Sequence, residues 1–180
     1  DDNNAEKQNK ANSLGALFDA EPNGLFSNEV QTPHKTLSDV EHEYVLIDNE
    51  KDAAKLCEEI MTFQEVSFDT ETTSVDAISA QLVGLSFAVA GGKAWYVAVP
   101  RETEAAQRMV DIFRPFYESD TILKVGQNIK YDLTVLGNYG IKLHAPMFDT
   151  MLAHYLVQPE LRHNMDYMAE VYLNYRTIHI

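Results

Sequence analysis

Asp69 and Glu71 stand two residues apart at the end of the stretch Val66-Ser67-Phe68-Asp69-Thr70-Glu71. Side chains alternate along a strand, so Val66, Phe68 and Thr70 take one face while Ser67, Asp69 and Glu71 take the other. Both carboxylates then project together. Two such charges repel by about 4 kcal/mol at ~4 Å and an effective dielectric of ~20 unless a cation lies between them, which makes the pair a candidate for holding hard metal ions. The same spacing fits a solvated strand end, so a second acidic element is needed. Asp132 is the candidate for it. In Lys124-Val125-Gly126-Gln127-Asn128-Ile129-Lys130-Tyr131-Asp132, Asn128 is placed to cap a helix, which sets Asp132 just past the first turn and near the strand ends. Read alone, Asp132 would complement the helix dipole for ~0.3 to 1 kcal/mol, with Lys130 and Tyr131 as surface residues.

The elements that must position these acids follow from periodicity. Tyr44 to Asp48 reads as a short strand, and Glu50 to Met61 as a helix with Ala53, Leu56, Cys57 and Ile60 as its apolar stripe. After the acidic strand and a loop from Thr72 to Ala80, Gln81 to Ala90 and Lys93 to Val99 alternate as strands. Gly91-Gly92 joins them as a hairpin, because glycine adopts positive φ without steric cost. The three neighbouring strands form an antiparallel meander. A single helix is expected over Glu102 to Tyr117, with Met109, Ile112, Phe113 and Phe116 facing the sheet and Pro115 near its end. Ile122 to Val125 is a short buried strand leading through Gly126 into the helix of Asp132. The sum is an α/β fold, a mixed sheet flanked by helices.

Composition sets limits on function. The 180 residues carry 28 acids against 14 bases, a formal charge of -14, which argues against gripping nucleic acid by bulk electrostatics. Any phosphate binding must be local. The single cysteine, Cys57, forms no internal disulfide, which fits a reducing compartment and not a catalytic thiol. No apolar run approaches ~18 residues, so neither a membrane partner nor a membrane span is expected, and a soluble cytoplasmic protein is. The histidines, His34, His42, His144, His154, His163 and His179, show no metal-ligand spacing, which argues against zinc. Met165, Met168, Val171 and Tyr172 fall at helical spacing and read as core.

Residues 1–42 are rich in Asn, Asp, Glu and Gln and read as a flexible acidic and polar interdomain linker. The apolar islands Leu14 to Phe18 and Leu25-Phe26 interrupt it, and Leu17-Phe18 is the whole basis for an expected contact with a replication sliding clamp.

The run from Phe68-Asp-Thr-Glu-Thr72 through Gln81-Leu-Val-Gly-Leu-Ser-Phe87 to Lys124-Val-Gly-Gln-Asn-Ile-Lys-Tyr-Asp132 resembles the 3′→5′ proofreading exonuclease domain of bacterial family A DNA polymerase I. Asn138-Tyr-Gly-Ile141, Phe148-Asp-Thr-Met-Leu152 and Arg162-His-Asn-Met-Asp166 extend the resemblance, which covers about residues 44–180. It implies a ribonuclease H-like fold of the DnaQ-like exonuclease class.

By that resemblance Asp69, Glu71 and Asp132 are the catalytic, metal-binding acids, Asp69 shared by two Mg2+ or Mn2+ ions. Thr70, Val75, Gln127, Asn128, Lys130, Tyr131 and Arg162 are the residues that meet the single-stranded 3′ end of DNA. Val75 stands where the family usually has a leucine. The implied partners are a polymerase domain and a 5′ nuclease domain in the same parent chain, in a cytoplasmic, nucleoid-associated protein. The family has one more element, Tyr-x-x-x-Asp, with a further metal ligand, and the stretch from 43 to 180 stops before it. Asp149 instead reads as a helix cap and Asp166 as the opening of the next helix. The expectation is a segment that alone shows little or no nuclease activity, within a parent that proofreads. Two alternatives stand beside this: an inactive exonuclease-like scaffold domain of a polymerase, and a ribonuclease D-like enzyme.

Overall fold

A computed structural model describes residues 33–178. The apolar islands before residue 30, and the clamp contact expected of them, lie outside the described residues.

Six strands form one mixed sheet. They are β1 (Glu43–Ile47), β2 (Glu65–Thr72), β3 (Leu82–Val89), β4 (Lys93–Ala98), β5 (Leu123–Gly126) and β6 (Met147–Asp149). Their order across the sheet is β1-β4-β3-β2-β5-β6. The meander β2-β3-β4 is antiparallel as expected, while β1 runs parallel to β4, and β5 and β6 extend the sheet parallel to β2. The turn between β3 and β4 is made by Gly91 and Gly92, at φ of 88° and 82°. Both angles lie where a side chain is strained, which is why the hairpin takes two glycines.

Among the described residues the α-helices interleaved with these strands are α1 (Glu50–Ile60), α2 (Thr103–Ile112), α3 (Arg114–Tyr117), α4 (Ile129–Asn138), α5 (Thr150–Val157) and α6 (Met165–Leu173). The single helix expected over Glu102 to Tyr117 is two, α2 and α3, meeting at Phe113. Pro115 has no N–H to give to the carbonyl one turn back and its ring crowds that carbonyl, so the first helix ends and Pro115 sits in the first turn of the second. The break serves the core. Phe113, Phe116 and Tyr117 all reach full burial against Phe68 and Phe87 of the sheet, with Phe87 and Phe113 stacked at 4.8 Å between ring centroids. Each ring buried this way contributes roughly 1.5 to 3 kcal/mol.

Beta-strand periodicity along β2 is as expected. Val66, Phe68 and Thr70 are buried, whereas Ser67 and Glu71 are exposed and Asp69 is half-buried. A bulge between Glu71 and Thr72 then turns the strand into the loop that leads to Ala80.

Two expectations need correction. Part of the stretch read as linker belongs to the compact unit that begins at His34: Leu37–Asp39 form a 3-10 turn, and Lys35 pairs with Tyr175 in an isolated bridge. The stripe on α6 is not packed core. Met165, Val171 and Tyr172 are all more than half exposed, and Ala169 is the buried residue of this helix. Met165, Met168, Ala169 and Tyr172 do face inward, but they line a cavity of about 360 Å3 over β2 and β5 instead of filling it.

Candidate active site

Asp69 stands on the wall between two hollows. On one side is the α6 cavity, to which Ser67, Gln127 and Thr150 bring polar groups. On the other is an open groove of about 670 Å3, lined by Asp69 to Val75 together with Asn128 and Tyr131. The end of β2, the loop after it and the start of α4 therefore share one surface. The lining brings together Asp69, Thr70, Glu71, Val75, Asn128 and Tyr131. Lys130 points into solvent from α4, and Arg162 is exposed on the segment 158–164.

Asp132 reaches the end of β2 from the buried side. Its Oδ1 accepts from the backbone N–H of Thr70 at 3.0 Å and from the Thr70 hydroxyl at 2.6 Å. Asp132 is 2% exposed. Thr70, expected to meet substrate, is thus turned inward and spends its hydroxyl on Asp132. The reason is strand alternation: Thr70 shares the core face with Phe68, and a carboxyl group so far from water needs hydrogen-bond partners.

The acids feel one another. Burial, then the neighbouring charges of Asp132 and Glu71, push the Asp69 carboxyl up to about 7 from its ordinary 3.8. Burial also raises Asp132, and the two Thr70 bonds pull against that rise. An all-oxygen donor set suits a hard divalent cation, and a cation would relieve the crowding at Asp69. In this conformation, however, no group of three or more His, Cys, Asp or Glu among the described residues is drawn together tightly enough to hold a metal ion. The donors are of the kind that such a cation takes.

Asn128 occupies the cap position of α4, but in the left-handed region at φ 62° and with no side-chain bond to the helix. Asp149 does the capping. Its Oδ1 and Oδ2 accept from the N–H groups of Asn128 and Ile129 at 3.2 and 2.9 Å, and its Oδ1 also accepts from Leu152 N–H at 3.1 Å. One carboxylate therefore caps both α4 and α5. The second cap was foreseeable from the local sequence, whereas the first depends on β5 and β6 lying side by side.

Tyr131 is not a free surface residue. Its hydroxyl donates to the Ser74 carbonyl and bonds the Thr72 hydroxyl, pinning the start of the loop that carries the 97% exposed Val75. Gln127 donates through Nε2 to the His163 carbonyl at 2.6 Å and accepts from the Thr150 hydroxyl. Sequence reasoning missed His154, which is buried between α5 and α6 and bonded through both ring nitrogens. Its only local signal was an imidazole on an otherwise apolar helix.

The sheet order and the acids at the end of its central strand define a ribonuclease H-like exonuclease fold. Solved structures share it: NrnC from Brucella melitensis with bound Mg2+ superposes at a TM-score of 0.58 with 19% identity, over 76% of this chain and 63% of that one. RNase D from Escherichia coli superposes at 0.56 with 22% identity, over 72% and 33%. The chain belongs to the 3′-5′ exonuclease family, whose model matches residues 44–179. Its curated relatives include DNA polymerase I of Pseudomonas aeruginosa, 42% identical over 63% of this chain, and DNA polymerase I of Borreliella burgdorferi, 29% identical over 96%. The chain spans 13% and 19% of the length of those two relatives. Among the described residues no helix is long and apolar enough to cross a membrane.

Proposed function

We propose that this chain is the proofreading module of a DNA polymerase I and hydrolyses the 3′-terminal phosphodiester of a single-stranded or frayed DNA end. The observation that carries this is the position of Asp69 at the head of a groove formed by the end of β2, its loop and α4, its carboxyl raised by burial and then by the charges of Asp132 and Glu71. Asp69, Glu71 and Asp132 would hold Mg2+ or Mn2+, two ions in the complete site. Such ions supply a nucleophilic water at neutral pH and neutralise charge on the departing 3′ oxygen. Thr70 keeps the Asp132 carboxylate aimed, and its two bonds oppose the rise that burial causes. Tyr131 fixes the loop so that Val75 projects over the groove where the terminal base would lie, and Asn128 and Lys130 offer polar and cationic contacts along the strand. With a net charge of -14, the domain has to hold a polyanion through such local contacts.

The likeness to RNase D rests on a shared fold at 22% identity, whereas the polymerase relative reaches 42%, which favours DNA synthesis machinery as the setting. The polymerase and 5′ nuclease domains of the parent chain are the partners this reading implies, in a cytoplasmic, nucleoid-associated protein. The sliding-clamp contact has no support from the described residues.

In the full-length parent, Asp69→Ala, Glu71→Ala and Asp132→Ala are each expected to abolish Mg2+-dependent 3′→5′ degradation while DNA synthesis continues. Degradation at the native rate in any of the three would refute the assignment. Absence of degradation in the native parent would identify an idle scaffold.

A further inference from the structure

The segment 158–164 joins α5 to α6 and carries Arg162. Arg108, Arg114 and Arg176 are each paired with an acid, whereas Arg101 and Arg162 make no ion pair among the described residues, and of these two only Arg162 lies on a segment bonded to a residue of the Asp69 cavity. An exposed, unpaired guanidinium on a strongly acidic domain suits a phosphate better than it suits a structural role.

The segment is tied down by a chain of hydrogen bonds whose direction is fixed at one end. The Tyr172 hydroxyl donates to Gln158 Oε1 at 2.5 Å, so its oxygen accepts from His154 Nε2 at 2.9 Å. His154 then carries its proton on Nε2 and leaves Nδ1 bare. That nitrogen accepts from Nδ1–H of His163 at 2.7 Å. His154 is 6% exposed, and the rings of Tyr155, Tyr167 and Tyr172 pack around the pair. His163 is held from its other side as well, since its carbonyl accepts from Gln127, which lines the same cavity as Asp69. One residue thus couples the Arg162 segment to the strand end that leads into the Asp132 helix.

We propose that His163, locked through His154 and Tyr172, is a positioning residue that sets Arg162 to meet a backbone phosphate of the single strand whose 3′ end reaches Asp69. This rests on the function proposed above. The geometry explains why a buried histidine is placed on α5: an imidazole there is at once an acceptor for His163 and a donor to Tyr172, which no apolar side chain is.

The test uses the chain itself and a 5′-labelled single-stranded oligodeoxynucleotide with a free 3′ hydroxyl, its binding followed by anisotropy in Mg2+. His163→Leu removes the donor and is expected to weaken binding by about tenfold, the scale of one charge-assisted phosphate contact. Amide exchange over residues 158–164 should quicken in the same variant. His163→Asn keeps an N–H near the Nδ1 position and is expected to restore binding to within about threefold of native. Tyr172→Phe, which removes the bonds to His154 and to Gln158 of the same segment but keeps the His154–His163 bond, should give an intermediate loss. Native binding by His163→Leu, or an equal loss in His163→Asn, would overturn the positioning role. No binding by the native chain would overturn instead the function on which it rests.

Discussion

Thr70 and Asp132 are joined twice, through the Thr70 backbone N–H at 3.0 Å and its hydroxyl at 2.6 Å, both to a single carboxylate oxygen. A strand and a helix separated by some sixty residues are thereby locked at the point where the acids gather.

Thr70→Val keeps the shape and the backbone bond and removes the hydroxyl. Asp132 is almost wholly buried, so the lost bond to its carboxylate is expected to cost about 1.5 to 3 kcal/mol. Urea denaturation would measure it, and an unchanged midpoint would mean that the hydroxyl contributes nothing to holding the acid.

Asp149 serves two helices at once. Asp149→Ala strips partners from the N–H groups of Asn128, Ile129 and Leu152, and a loss of about 1 to 3 kcal/mol is expected, above that of an ordinary single cap. Asn128→Gly is expected to be close to neutral, since the Asn128 side chain caps nothing and glycine accepts its positive φ. Equal effects from the two substitutions would contradict this division of labour.

The metal-free protein should lose stability as pH rises. Asp69 in the fold titrates near 7 against an ordinary value of 3.8, so between those values the folded state binds more protons than the unfolded one. Its favourable contribution is complete below about pH 4 and disappears as pH climbs through about 7. Thermal melts in a chelating buffer should therefore show a higher Tm at pH 5 than at pH 8. Asp69→Asn should shrink the difference, and Mg2+ or Mn2+ should raise the Tm at pH 8 in the native chain but much less in that variant. A Tm that increases from pH 5 to pH 8 without metal would contradict the crowding of the acids.

The Tyr117 hydroxyl is fully buried and has no hydrogen-bond partner among the described residues, and burial holds its proton on well above the usual tyrosine range. Tyr117→Phe removes a desolvated polar group and keeps the ring that packs on Phe68 and Phe87. Stability is expected to stay level or rise by about 1 kcal/mol. A fall of that size in calorimetry would show that the hydroxyl has a partner in solution.

Much of this was legible in the chain. The alternation of Val66, Phe68 and Thr70 with Ser67, Asp69 and Glu71, the glycine pair of the hairpin and the apolar stripe of α1 are set by backbone geometry over a few residues. Such patterns are written locally, and they include the face on which Asp69 and Glu71 stand. What Thr70 does was not, because its face follows from alternation but its partner lies on a helix placed beside it only by the fold. The same holds for Asp149, whose second helix arrives through the pairing of β5 with β6, and for His163, whose ring meets His154 across the turn between α5 and α6. The stripe of α6 was read correctly as a face and wrongly as core, since periodicity reports direction and only packing reports what fills the space. The sequence alone determined which residues carry charge and which way each strand turns them; tertiary structure decided which of those charges share a donor, because that depends on distances between segments that no local rule connects.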